Sequence, residues 1–268
     1  MLQKIQETAD FIISTISTRP KTGIILGTGL GNLVTQITEK VEIPYEIIPN
    51  FPISTVEGHS GKLIFGKLGD VDVLAMQGRF HYYEGYDMKT VTFPVRVMKA
   101  IGIETLLVSN ASGGMNPNFE IGDLMIITDH INLFPEHPLR GKNFVELGTR
   151  FPDMSEAYSK ELIAKAKQIA ILHNIKVVEG VYVGTSGPTF ETPAEYRYFH
   201  TIGGDAVGMS TVPEVIVANH SGIKCFGISI ITDLGVPGKI VEVSHEEVQQ
   251  IGNSVQPLMT LIMKELIK

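Results

Sequence analysis

The chain has one cysteine and no tryptophan in 268 residues, and its aromatic content is only 7%. The lone thiol, Cys225, excludes an internal disulfide, and its apolar neighbours Phe226, Gly227 and Ile228 point to packing rather than redox chemistry. No apolar run approaches the ~18 residues of a membrane-spanning helix. Residues 1–7 show no basic stretch leading into an apolar core, so a cytoplasmic, soluble protein is expected. Basic residues are the scarcer charge, 22 against 29 acidic, for a net charge of −7. That balance argues against a nucleic-acid or anionic-membrane partner. Any bound anion must be caught by local cationic and backbone groups. Histidines are scattered, without a cysteine partner or a compact ligand spacing, so no metal is expected. Repeats and low-complexity tracts are also missing.

What is present is a large supply of core. With 43% hydrophobic residues, a chain of this length hides about 70–75% of its unfolded surface without staples. No linker interrupts the elements, so residues 1–268 read as one domain.

Taken in order, residues 2–18 carry apolar side chains at helical spacing, and Gly23–Leu26 reads as a short buried strand. It runs into Gly27-Thr28-Gly29-Leu30-Gly31-Asn32, where backbone N–H groups can cradle a phosphate at a helix start. Asn32 stands where the dinucleotide fingerprint needs its last glycine, and the Gly-Lys-Ser/Thr ending of the nucleotide loop is absent. A free or sugar-borne phosphate is the reading left. Residues 62–68 and 71–76 form a hairpin behind a polar loop holding His59.

The hairpin's second strand delivers Gln77-Gly78-Arg79-Phe80-His81-Tyr82-Tyr83. If the backbone stays extended, Arg79, His81 and Tyr83 point one way, and a guanidinium, an imidazole and a phenol meet at a strand's carboxyl end. Ligands bind at that edge of open α/β sheets, and arginine suits a bidentate grip on an oxyanion. Residues 89–101 read as a helix, 105–109 as a strand and Asn110–Gly114 as a second small-residue turn. A strand over 124–128, a helix over 155–173 and a strand over 177–183 follow. Thr192-Pro193-Ala194-Glu195 reads as a capping box, with Phe190 and Glu191 just before it. Thr211-Val212-Pro213-Glu214 repeats that pattern after a strand over 206–210, and Ser244-His245-Glu246-Glu247 caps the last helix. The last strand, 226–232, delivers Asp233. Strands and helices alternate, which predicts an α/β fold with a central sheet flanked by helices, mixed because of the hairpin.

Across nearly its whole length the chain resembles the trimeric purine nucleoside phosphorylases. The segments that carry the likeness are Gly27–Gly31, Gly58–Gly61, Gln77–His81, Phe93–Arg96, Asn110–Gly114, Gly187–Thr192, Gly208–Glu214 and His245–Glu247. The resemblance implies reversible phosphorolysis of inosine and guanosine, with adenosine open, and phosphate as co-substrate with no cofactor. It implies that Thr28, His59, Arg79, His81, the Ala111 N–H and Ser210 hold phosphate. Tyr83, Met209 and His245 would meet the ribose, and Phe190, Glu191, Val207 and Asp233 the base. Among these, His81, Glu191 and Asp233 would carry the catalytic roles. Phe151 would be lent to a neighbour's site in a homotrimer. Two positions depart from the family pattern: Thr28 stands where the family more often has serine, and asparagine usually stands where this chain has Asp233. A protonated Asp233 donates to purine N7, whereas an ionised one favours a 6-aminopurine. Two rivals accompany this reading: a 5′-methylthioadenosine phosphorylase, against which a polar His245 speaks, and a non-catalytic nucleoside- or phosphate-binding module.

Overall fold

The structure is a computed structural model that describes residues 1–53, 55 and 61–268. Helix α1 (Leu2–Thr15) buries Ile5, Ala9 and Ile12 along one side. Strand β1 (Thr22–Leu26) is buried at every position, as expected of a strand covered on both faces. β2 (Ile37–Pro44), which the sequence reading missed, pairs antiparallel with β3 (Lys62–Leu68), and β3 pairs antiparallel with β4 (Val71–Gln77). β4 then lies parallel to β1.

The helix expected over 89–101 divides at Thr92 into α2 (Met88–Val91) and α3 (Phe93–Ile101). Pro94 causes the break, because it has no N–H to continue a helix but fits a first turn. β5 (Thr105–Gly114) is twice as long as expected: Asn110–Gly114 is strand, not turn. Small residues allow this, since they are hemmed in by neighbouring strands. β6 (Leu124–Asn132) likewise runs past its expected end. α4 (Lys160–Leu172) starts five residues later than expected, where the Ser159 hydroxyl accepts from the Leu162 N–H. β7 (Val177–Gly184), α5 (Pro193–Thr201), β8 (Ala206–Gly208), α6 (Val212–His220), β9 (Lys224–Leu234) and α7 (His245–Leu266) complete the order.

The described strands form one mixed sheet in the order β2-β3-β4-β1-β5-β8-β7-β6-β9, and β9 returns to pair with β5. The sheet is therefore closed at one end: β5, β8, β7, β6 and β9 form a ring. The expected mixed sheet flanked by helices is present, and its closure is a feature the sequence did not specify. Periodicity identifies strands but not their partners, and β5 is long enough to pair with β1, β9 and β8. In the β5–β9 ladder Ser112 faces Ile231 and Gly113 faces Asp233, so Thr232 bulges out of register.

Two cores flank the sheet. Ile25 packs with Ile12, Val95, Met98 and Val215 on one side. Its neighbours Ile24 and Leu26 pack with Ile169, Met259 and Ile262 on the other. Each such side chain contributes about 1.5–3 kcal/mol on burial, which anchors the strands whose ends build the site.

Candidate active site

The carboxyl ends of β1 and β4, the last residues of β5, β8 and β9, and the start of α7 surround a cavity of about 500 Å³. Thr28, Arg79, His81, Ala111 and Ser210 line it. Tyr83, Met209 and His245 line it too, with Phe190, Glu191, Val207 and Asp233. The sequence named all twelve. His59 lies outside the described residues. Phe151 is elsewhere: it is 84% exposed, beside a second hollow lined by His130, His137, Arg140 and Arg150.

The glycine turn works by its lack of side chain. A Cβ on Gly27 would stand 2.8 Å from the Ser109 carbonyl oxygen and 2.9 Å from the Asn110 Cα. Only glycine brings Thr28 this close to β5. A 3₁₀ turn over Gly31–Gln36 follows rather than an α-helix, so the expected helix start is a tighter one.

The 79–83 stretch is extended only as far as His81 (φ −121°, ψ 153°), after which Tyr82–Glu84 makes a 3₁₀ turn. The three side chains still converge, and the His81 and Tyr83 rings stack with centroids 4.7 Å apart. Arg79 is 1% exposed, and its guanidinium is deeply anchored. Nη1 donates to the Thr211 hydroxyl at 3.1 Å, and Nη2 donates to the carbonyls of Ile25 at 3.2 Å and of Ser109. Glu214 lies 3.4 Å from Nη1.

Glu84, given no role by sequence, organises the histidine. It accepts from the His81 backbone N–H at 2.7 Å and sits 3.1 Å from Nδ1. It also accepts from the Thr55 N–H at 2.9 Å and the Thr55 hydroxyl at 2.6 Å. Burial opposes its charge, but these hydrogen bonds prevail and hold its pKa down at about 2. Burial lowers the His81 pKa, partly offset by Glu84. A neutral imidazole facing that carboxylate carries its proton on Nδ1, which makes Nε2 the basic nitrogen. The three-residue spacing from His81 to Glu84 was the available signal.

Asp233 is 7% exposed. Its Oδ2 accepts from the Tyr196 hydroxyl at 3.0 Å and its Oδ1 from the Thr232 hydroxyl at 3.0 Å. Burial raises its pKa, against the pull of those two donors. Glu191 is pushed up to about 7, chiefly by burial, with the charge of Asp233 adding to the shift. Two carboxyl groups of raised pKa thus face one cavity, the environment in which acid and base roles are set. Tyr196 and Thr232 were missed, being bland members of a helix and a strand in the sequence. Among the described residues no cluster of histidine, cysteine or carboxylates could hold a metal ion. Nor is any helix there long and apolar enough to cross a membrane.

A strand-end cavity lined by an arginine, histidines and hydroxyls together with an aromatic ring and two carboxyls suits the class the comparisons show, the nucleoside-cleaving phosphorylases. The family model described as the phosphorylase superfamily matches residues 21–268. A purine nucleoside phosphorylase 1 from Bacillus subtilis is 52% identical over 267 residues, spanning 100% of this chain and 98% of that protein. The purine nucleoside phosphorylase of Bos taurus is 48% identical over 277 residues, spanning 97% and 94%. A crystal structure of the Schistosoma mansoni enzyme in complex with adenosine superposes with a TM-score of 0.94 at 43% identity, covering 99% of this chain and 96% of that one. The chain belongs to the purine nucleoside phosphorylases of the phosphorylase superfamily.

Proposed function

We propose that the protein cleaves purine ribo- and deoxyribonucleosides reversibly with inorganic phosphate, giving the free base and the sugar 1-phosphate. The observation that carries this is one cavity lined by Thr28, Arg79, His81, Ala111 and Ser210 together with Phe190, Glu191 and Asp233, in which Arg79 is held on the Ser109 carbonyl and Asp233 lies opposite Gly113, four residues further along β5. Phosphate attacks C1′ as the C1′–N9 bond breaks, through a transition state with oxocarbenium character. The phosphate is itself the nucleophile, so the protein's task is to position it and to stabilise charge leaving onto the base. Arg79 and the Ala111 N–H bind the anion, and the basic Nε2 of His81 accepts from a phosphate hydroxyl. Tyr83, Met209 and His245 hold the sugar, His245 reaching its 5′-hydroxyl. Phe190 stacks on the purine, Glu191 accepts from N1–H, and a protonated Asp233 donates to N7 as it gains electrons.

His59, which lies outside the described residues, joins the phosphate contacts. The whole chain works as one domain, in the cytoplasm, without a cofactor. The exposed Phe151 ring closes a neighbouring subunit's site in a homotrimer. Inosine and guanosine are the main substrates, and ionised Asp233 admits adenosine.

The test is hypoxanthine release from inosine with and without phosphate. Release that requires phosphate is expected. Release without it makes the protein a hydrolase, and none at all leaves a binding module. Including methylthioadenosine separates the nearest rival, which prefers a 6-amino base and an apolar 5′ group.

A further inference from the structure

Three helices of the protein begin with the same pattern, a hydroxyl residue followed three positions later by glutamate. In α5 and α7 it closes on itself. The Thr192 hydroxyl accepts from the Glu195 N–H at 3.2 Å, and the Ser244 hydroxyl from the Glu247 N–H at 3.2 Å. At α6 the pair Thr211 and Glu214 does something else, and the expected capping box is absent.

Thr211 takes φ 69° and ψ −52°, and the Val212 N–H donates to the Ser210 carbonyl at 2.7 Å. This is the γ-turn of positive φ, a costly conformation for a threonine. It turns the Thr211 hydroxyl away from the helix to accept from Arg79 and, at 2.8 Å, from the Asn110 amide. Glu214 follows it to the same guanidinium. It is 2% exposed, 3.4 Å from Nη1, and neither of its oxygens makes a hydrogen bond. A buried carboxylate without hydrogen bonds is a poor structural fastener. Its effect on Arg79 is that of a charge.

We propose that Glu214 is a positioning residue that acts through Arg79, a fixed counter-charge that limits how tightly the site holds phosphate. This rests on the phosphorolysis reading above. A guanidinium without that counter-charge binds the free anion more strongly than the anion that is transferring electron density to C1′. Ground-state grip of that kind lowers KM and kcat together.

The experiment is steady-state phosphorolysis of inosine by wild type, Glu214→Gln and Glu214→Asp, varying phosphate and inosine separately. Removing one unit charge near the anion is expected to lower the phosphate KM of Glu214→Gln roughly tenfold and kcat severalfold. Inosine KM stays within about twofold. Glu214→Asp withdraws the charge without deleting it and gives a smaller fall in phosphate KM, which decides the matter alone if the glutamine variant does not fold. Phosphate also raises the Tm of Glu214→Gln more than that of wild type. An unchanged or raised phosphate KM in a folded variant overturns the proposal, since loosened packing weakens phosphate binding rather than tightening it. Wild type that releases no hypoxanthine with phosphate refutes phosphorolysis itself; wild type that does, beside variants with its own phosphate constants, refutes only the role of Glu214.

Discussion

Replacing Asp233 by asparagine asks the most of the base end of the site. The carboxyl accepts from Tyr196 and Thr232, both at 3.0 Å, so ionised Asp233 has two donors already committed to it. On the base contacts proposed above, it helps inosine only when protonated, because N7 gains negative charge as the bond to C1′ breaks. Toward adenosine the ionised form helps, by accepting from the 6-amino group. Asparagine fixes the donor and removes the charge. A hydrogen bond involving a charged partner is worth about 1.5–3 kcal/mol, which is roughly 10- to 150-fold in a rate ratio. The ratio of kcat/KM for inosine over adenosine is therefore expected to rise at least tenfold in Asp233→Asn. Wild-type inosine turnover should also fall with rising pH as Asp233 loses its proton, a limb the variant lacks. Tyr196→Phe provides the complementary change: losing a donor to the carboxylate raises the Asp233 pKa further and moves that limb to higher pH. Assays of both nucleosides from pH 5.5 to 9 read all three effects. Unchanged ratios and superimposable pH profiles would refute the assignment.

Other expectations follow from the same geometry. Glu191, pushed up to about 7, must be ionised to accept from N1–H, so inosine KM rises as pH drops below 7 and Glu191→Gln abolishes the dependence. Glu84 is held down at about 2, so it stabilises the fold above the unfolded carboxylate range and loses that contribution as pH falls toward 2. Acid titration of Glu84→Gln, followed by circular dichroism, should show a shallower loss between about pH 4.5 and 2. Gly27→Ala forces a methyl against the Ser109 carbonyl and should raise phosphate KM by an order of magnitude or more at near-normal inosine KM, checked by the same assay. Phe151→Ala removes a ring that is 84% exposed, so the stability of the chain should change by less than about 0.5 kcal/mol in urea, while sedimentation should report weaker assembly on the homotrimer proposed above.

Much of the strand and helix inventory could be read directly, because Ile24, Ile25 and Leu26 or the Thr192 and Ser244 caps each carry a local signal. The twelve cavity residues were legible for a related reason: they cluster near strand ends, and all but Tyr83, Val207 and Asp233 fall within the family segments. What escaped depends on distance through space. Nothing local in Asn110–Gly114 says that it is held straight by β9, or that the sheet closes into a ring. Thr211 and Glu214 misled for the same reason, since their sequence matches a cap while a side chain 132 residues away from Thr211 claims both. Tyr196 gave no sign of reaching Asp233, because that contact spans 37 residues.

The irregular step in the β5–β9 ladder has a practical corollary. In a regular strand Thr232 and Asp233 would look in opposite directions, yet both face the cavity. Deleting Thr232 would straighten the ladder and leave Asp233 opposite Gly113 without its Thr232 donor, while Thr28 and Arg79, carried on the far side of β5, would keep their places. On the site assignment proposed above, the length of β9 becomes a handle on base preference that leaves the proposed anion contacts in place.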